Sequence, residues 1–168
     1  MTRPSAVPPP VTAVLDASSR WLPTRLGEVE ERLRGVVGSY GERLGADAAA
    51  TLAAGGKRLR PMLVLLCAGE AGGPASVRAA TAIELIHMAT LVHDDVLDEA
   101  PLRRGRPTVV ADSGRDRAVA TGDLLFSRAF GLLADAGDER AVQLLAAAAV
   151  ALARGELAQR QDAFDLTI

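Results

Sequence analysis

The sequence predicts an all-α protein, and three observations carry that prediction. Apolar residues recur at helical spacing in segment after segment. No run alternates apolar and polar residues with the period of two that a half-buried strand needs. The chain is 49 % hydrophobic but only 3 % aromatic, so alanine, leucine and valine fill the interior. That stock suits closely packed helices better than sheets. At 168 residues the chain is one domain's worth, long enough to bury a core, and it shows no internal repeat.

Residues Met1–Pro10 hold four prolines in their last seven positions and are expected as a disordered or extended lead-in to a helical domain over 11–168. Trp21-Leu22-Pro23 interrupts a first short helix. A second is expected over about Leu26–Ser39, with Val29, Leu33, Val36 and Val37 on its apolar face. A third covers Ala46–Ala54 and stops at Gly55-Gly56, a C-cap. Pro61 fits the first turn of a fourth helix that runs to about Gly69. After the turn Gly72-Gly73-Pro74, Ser76 is a candidate N-cap for a long helix that Pro101 ends. Gly105, Pro107 and Ser113-Gly114 mark an irregular basic loop. Two further helices, about Asp116–Asp135 and Asp138–Asp165, part at Gly137.

The composition also excludes partners. A formal net charge of −2 leaves no broad basic field, so nucleic acid is not expected. The single cysteine, Cys67, lies in the apolar run Met62–Ala68 and reads as a small core residue of a reduced, cytoplasmic protein. No membrane span is expected, because the longest apolar stretch, Leu144–Ala153, is about half of the ~20 residues a spanning helix needs. The N-terminus lacks the apolar core of a signal peptide.

The chemistry-bearing residues lie in three places. In Glu84–Asp98, at about 100° per residue, His87, Leu91, Asp94 and Asp98 share one stripe with Glu84 at its upstream end. Asp94 and Asp98 are one turn apart and can reach the same ion, with Asp95 about 100° round in a supporting part. Acidic residues are unfavourable at a helix C-terminus, so a divalent metal, Mg2+, explains them better than a solvated helix end does. Magnesium takes one or two carboxylates and completes its octahedron with water and phosphate oxygens. The second place is Gly55-Gly56-Lys57-Arg58-Leu59-Arg60-Pro61, where glycines allow close backbone approach and Lys57 and Arg60 stand at a helix entry. It is not a Walker loop, since position 51 is Thr and position 58 is Arg. The third is Arg103-Arg104-Gly105-Arg106, whose paired guanidiniums suit a diphosphate. His87 and His93 are six residues apart on different sides of the helix and form no zinc pair. His93 reads as packing or a supporting contact.

The order Gly-Gly-Lys-x-x-Arg-Pro, Glu-x-x-His, Asp-Asp-x-x-Asp and Arg-Arg-Gly-x-Pro-Thr resembles the trans-isoprenyl diphosphate synthases, or polyprenyl synthetases, from about Gly41 onward. The likeness continues through Thr121–Leu125 and Gly155–Gln159. It implies an antiparallel helix bundle of the isoprenoid synthase type around a deep cavity. By position, Asp94 and Asp98, supported by Asp95, would hold Mg2+, and Arg103 would contact an allylic diphosphate. Lys57, Arg60, His87 and Arg104 would hold isopentenyl diphosphate. The implied reaction ionises the allylic primer, lets the isopentenyl double bond attack the cation, and loses a proton. The family ties product length to the side chains just before the aspartates, here Ala89 and Thr90; both are small, so products longer than farnesyl are expected. Phe126 and Phe130 could floor the channel deeper down.

The chain ends at Ile168 without the family's second aspartate-rich motif. The expectation is therefore the first half of the bundle, completed by a C-terminal half, a second subunit or a homo-oligomer, with one apolar side exposed until then. A reading from another class is a non-catalytic helical subunit that modulates a complete prenyl synthase. The intact aspartates and arginines argue against it. A terpene cyclase would not need Lys57, Arg60 and Arg103-Arg104 together.

Overall fold

The structure, a computed structural model, describes residues 9–162. Eight α-helices account for nearly all of them: α1 Pro9–Ser18, α2 Leu22–Gly38, α3 Glu42–Ala53, α4 Leu59–Ala68, α5 Gly73–Leu97, α6 Val109–Ser113, α7 Arg115–Ala134 and α8 Glu139–Gln161. A 3₁₀ turn, Glu70–Gly72, precedes α5. The expected lead-in falls mostly on residues 1–8, outside the described residues, while Pro9 and Pro10 open α1.

Helix α5 is the axis of the bundle. It packs along α7 on one side and against α4 and α2 on the other. Val29 and Leu33 of α2, Leu65 of α4, Leu85 and Val92 of α5 and Leu125 of α7 are fully buried at the shared core. The apolar face read for the second helix, Val29, Leu33, Val36 and Val37, is the face that α2 buries. Helices α5 and α7 approach closely because Gly122 has no side chain. Any Cβ there would overlap the imidazole of His93, which stacks on Phe126 with ring centroids 5.8 Å apart. His93 is thus a packing residue.

Four details depart from the sequence reading. Helix α5 begins at Gly73 with Pro74 in its first turn, and Ser76 lies inside it, donating from Oγ to Gly73 O at 2.8 Å; proline's fixed φ starts the helix without a side-chain cap. Cys67 is exposed, because the ten-residue α4 buries only Pro61 and Leu65. The basic loop is a minimal antiparallel hairpin, β1 Leu102–Arg103 and β2 Arg106–Pro107. Its turn sets Arg104 at φ 53° and Gly105 at φ 76°, the two consecutive positive values of a type I′ turn. Two-residue strands are too short to show alternation. Finally, the segments Glu70–Leu97 and Glu139–Gln159 are each long and apolar enough to cross a membrane by length and composition. The sequence reading counted only the unbroken run to Ala153, whereas the α8 segment tolerates Arg154 and Glu156 within its length.

The two long apolar helices have different surroundings. Most of α5 is core. Helix α8 leaves Leu144, Val150, Leu152 and Leu157 exposed, an arrangement normally found under cover.

Candidate functional site

The acidic turn closes α5. Asp98 is its C-cap, with its N–H donating to Asp94 O at 2.8 Å, and Glu99 takes a positive φ of 49° that turns the chain away. Asp94 is half-buried and Asp98 exposed, one turn apart. Burial pushes the Asp94 carboxyl above its usual range, and the negative charges of Glu156 on α8, Asp98 and Asp95 push the same way against Arg103. Such a pair of crowded carboxylates gains from a shared cation, so these residues fit a divalent ion. No cluster of three or more ligating side chains occurs among the described residues, so Asp94 and Asp98 would supply only part of an ion's coordination shell.

Asp95 has another partner. It is buried, and its Oδ1 accepts from Arg103 Nε at 2.9 Å. Burial and Asp98 raise its pKa while Arg103 lowers it. Asp95 therefore anchors the first hairpin arginine beside Asp94 rather than pointing where Asp94 points. Thr108 completes the anchor: it caps α6 by accepting from Ala111 N at 3.2 Å and donates to Ala100 O at 2.6 Å. The Thr of Arg-Arg-Gly-x-Pro-Thr thus closes the hairpin's base, a role the motif alone did not reveal.

The other two motifs meet across a cavity of about 450 Å³. Lys57, Arg60, His87 and Arg104 line it together with Gly55, Gly56 and Met88. The four residues read as one diphosphate-binding group come from a loop, α4, α5 and the hairpin, and the fold brings them to one wall. Arg104 crosses to the glycine loop and donates to Gly55 O, and Arg106 donates to Ala53 O at 3.2 Å. Arg106 thereby caps the last carbonyl of α3, where a helix favours cations, while Arg104 ties down the glycine loop just beyond the helix end. His87 sits in this positive surrounding with its pKa lowered, first by burial and then by the charges of Arg60, Arg104, Arg103 and Arg58. Both influences favour the neutral imidazole.

Arg58 and Glu84 were not singled out as a pair by the sequence. Arg58 donates to Glu30 on α2 and, at 2.9 Å, to Glu84 on α5. Burial pulls its pKa down, but the two carboxylates outweigh that and hold it above the ordinary arginine value. Glu84, expected at the head of the metal stripe, is instead buried against this guanidinium. The i-to-i+3 spacing of Glu84 and His87 could not separate these roles, because both face the same cavity.

Ala89 and Thr90 separate as well. Ala89 is fully buried in the helix core. Thr90 lines an apolar cavity of about 220 Å³ between α5 and α8, with Ile83, Ile86, Leu145 and Ala148 around it and His87 and Arg60 at its edge.

Comparison with known proteins adds to this geometry. Residues 42–168 match the family model described as Polyprenyl synthetase. Heptaprenyl diphosphate synthase component 2 of Geobacillus stearothermophilus is 47 % identical over 153 residues, covering 89 % of this chain and 48 % of that protein. A decaprenyl diphosphate synthase from Rhodobacter capsulatus superposes with a TM-score of 0.82 at 38 % identity, over 94 % of this chain and 48 % of that one. A polyprenyl synthase from Caulobacter crescentus CB15, solved with calcium and isoprenyl diphosphate, gives 0.74 at 31 % identity over 99 % and 49 %. The chain spans about half the length of these relatives.

Proposed function

From its membership of the polyprenyl synthetase family, shown by the match over residues 42–168, we propose that this chain supplies the first half of a trans-prenyltransferase active site. The reaction condenses isopentenyl diphosphate with an allylic diphosphate to give a longer trans-polyprenyl diphosphate. The observation that carries the reading is the single cavity in which Lys57, Arg60, His87 and Arg104 converge, next to the turn that crowds Asp94 and Asp98.

In this reading Lys57, Arg60 and Arg104 grip the diphosphate of isopentenyl diphosphate, with the guanidiniums giving forked, charge-assisted hydrogen bonds. His87 offers one more hydrogen-bonding nitrogen beside these three cations. Asp94 and Asp98 would hold a divalent ion, Mg2+ in our proposal, whose chemistry when bound would be charge neutralisation of the allylic diphosphate. Arg103, kept in place by Asp95, supports the same departing charge from the hairpin. The calcium and isoprenyl diphosphate named for the Caulobacter protein support this pairing of cation and ligand.

Thr90, rather than Ala89, is the position through which we expect chain length to be set, since it borders the apolar cavity. A small side chain there leaves room for products longer than farnesyl. Completion of the site requires a C-terminal half, a second polypeptide or a further copy to cover α8; the name component 2 borne by the Geobacillus relative supports a separate subunit. We place the reaction in the cytoplasm.

The test is to isolate the chain with whatever completes it from its native cell and measure prenyl transfer with magnesium. Asp94→Ala is expected to abolish the rate. Retention of the full rate would reject the metal assignment, and a partner that keeps its own rate regardless would favour the modulating-subunit reading.

A further inference from the structure

We infer that Arg58 is a positioning residue: clamped between Glu30 and Glu84, it fixes the turn that presents Lys57 and Arg60 to the cavity, and it does not itself serve as a ligand. This rests on the diphosphate reading of that cavity. Arg58 is the residue before α4 and adopts the left-handed conformation, φ 48° and ψ 36°. A side chain disfavours that region, so the surrounding structure must hold it there.

The clamp is what holds it. The Arg58 side chain is 13 % exposed and that of Glu84 only 4 %, whereas Lys57 and Arg60 on either side are exposed. Within four residues the chain carries three cations, and it turns the middle one inward, against α2 and α5. The outer two are left facing solvent at the cavity rim. Gly56 completes the device. A Cβ there would lie 3.0 Å from Arg58 Nη1 and 3.4 Å from Arg104 Nη1, so two guanidiniums converge on a residue without a side chain. Their mutual repulsion is offset by the carboxylates of Glu84 and Glu30. An acidic side chain in the wall of an anion site weakens that site if it acts by charge alone. Here its geometric effect, through Arg58, is the larger one.

That opposition gives the test a sign. Inorganic diphosphate is titrated into the full chain by calorimetry, well below the unfolding temperature. Glu84→Gln removes a negative charge from the cavity wall, so a charge-only role predicts tighter binding. A role confined to holding α4 on α5 predicts a lower unfolding temperature at unchanged affinity. We expect binding about tenfold weaker, the scale of one misplaced charge-assisted hydrogen bond. Unchanged or tighter binding overturns the inference. If Glu84→Gln does not fold, Glu30→Gln, at the more exposed end of the clamp, carries the same prediction and the same reversal. Lys57→Ala and Arg60→Ala serve as the reference. If they leave diphosphate binding intact, the reading of the cavity fails and takes this inference with it. If they weaken it while Glu84→Gln and Glu30→Gln do not, the positioning role alone fails.

Discussion

His87 concentrates the site's electrostatics in one side chain. Burial and four arginines hold its proton off, so a bound diphosphate, by cancelling that positive surrounding, should raise its pKa. Because the ligand then favours the protonated form, its affinity should grow as pH falls through the window between the lowered and the restored value. An NMR titration of His87 with and without inorganic diphosphate reads this directly, and coincident titration curves would argue against any ligand beside it. Asp94 gives the opposite case. Its pKa in the fold lies above the unfolded value, so the favourable contribution exists at low pH and is lost as pH rises through the folded value. At neutral pH Asp94→Asn is therefore expected to raise the unfolding temperature, while magnesium stabilises the original chain and not the variant. Thermal unfolding of both, with and without magnesium, checks the pair of outcomes. That His87 and Asp94 share one stripe of α5 was legible in the sequence from spacing alone. What Arg58 and Thr108 do was not, because their partners lie 26 residues and 8 residues away and no local pattern records them.

At the level of elements, the hairpin joins the two basic motifs to the acidic helix. Arg103 reaches back to Asp95, while Arg104 and Arg106 reach the end of α3. Its type I′ turn depends on Gly105, at φ 76°, and Gly105→Val should cost about 1–2 kcal/mol. The expected signature is a lower urea midpoint with an unchanged slope, since so small an element changes little surface. Long helices such as α2 and α7 could be read from apolar spacing to within about four residues. The hairpin could not, because its strands are shorter than one period of the signal. Helix α6 was missed for the same reason, five residues being hardly more than one turn.

For the molecule as a whole, the exposed length of α8 governs behaviour in solution. Leu144, Val150, Leu152 and Leu157 present apolar surface that a monomer rarely leaves bare. The isolated chain is expected to bind an apolar dye such as ANS and to scatter light increasingly with concentration, and its completing partner should suppress both. A dye-silent chain that stays monomeric would count against an uncovered α8. Fold class was readable from this one sequence because the helices are long, and the residues that gather round the cavity were readable because their motifs are local. The division of labour within the site was not, because it depends on how α2, α4 and α5 meet. The close contact of α5 with α7 has a last consequence, best stated in the language of genetics. Every missense change at Gly122 adds atoms where the His93 ring already lies, so even Gly122→Ala should cost about 1–3 kcal/mol. Its neighbour Asp123 has a side chain 68 % exposed, 3.4 Å from His93 Nε2, and so exposed a pair contributes at most about 1 kcal/mol to folding. A saturation library sorted for folding alone should return Gly122 almost unvaried beside a codon that varies widely, two adjacent positions with opposite fates.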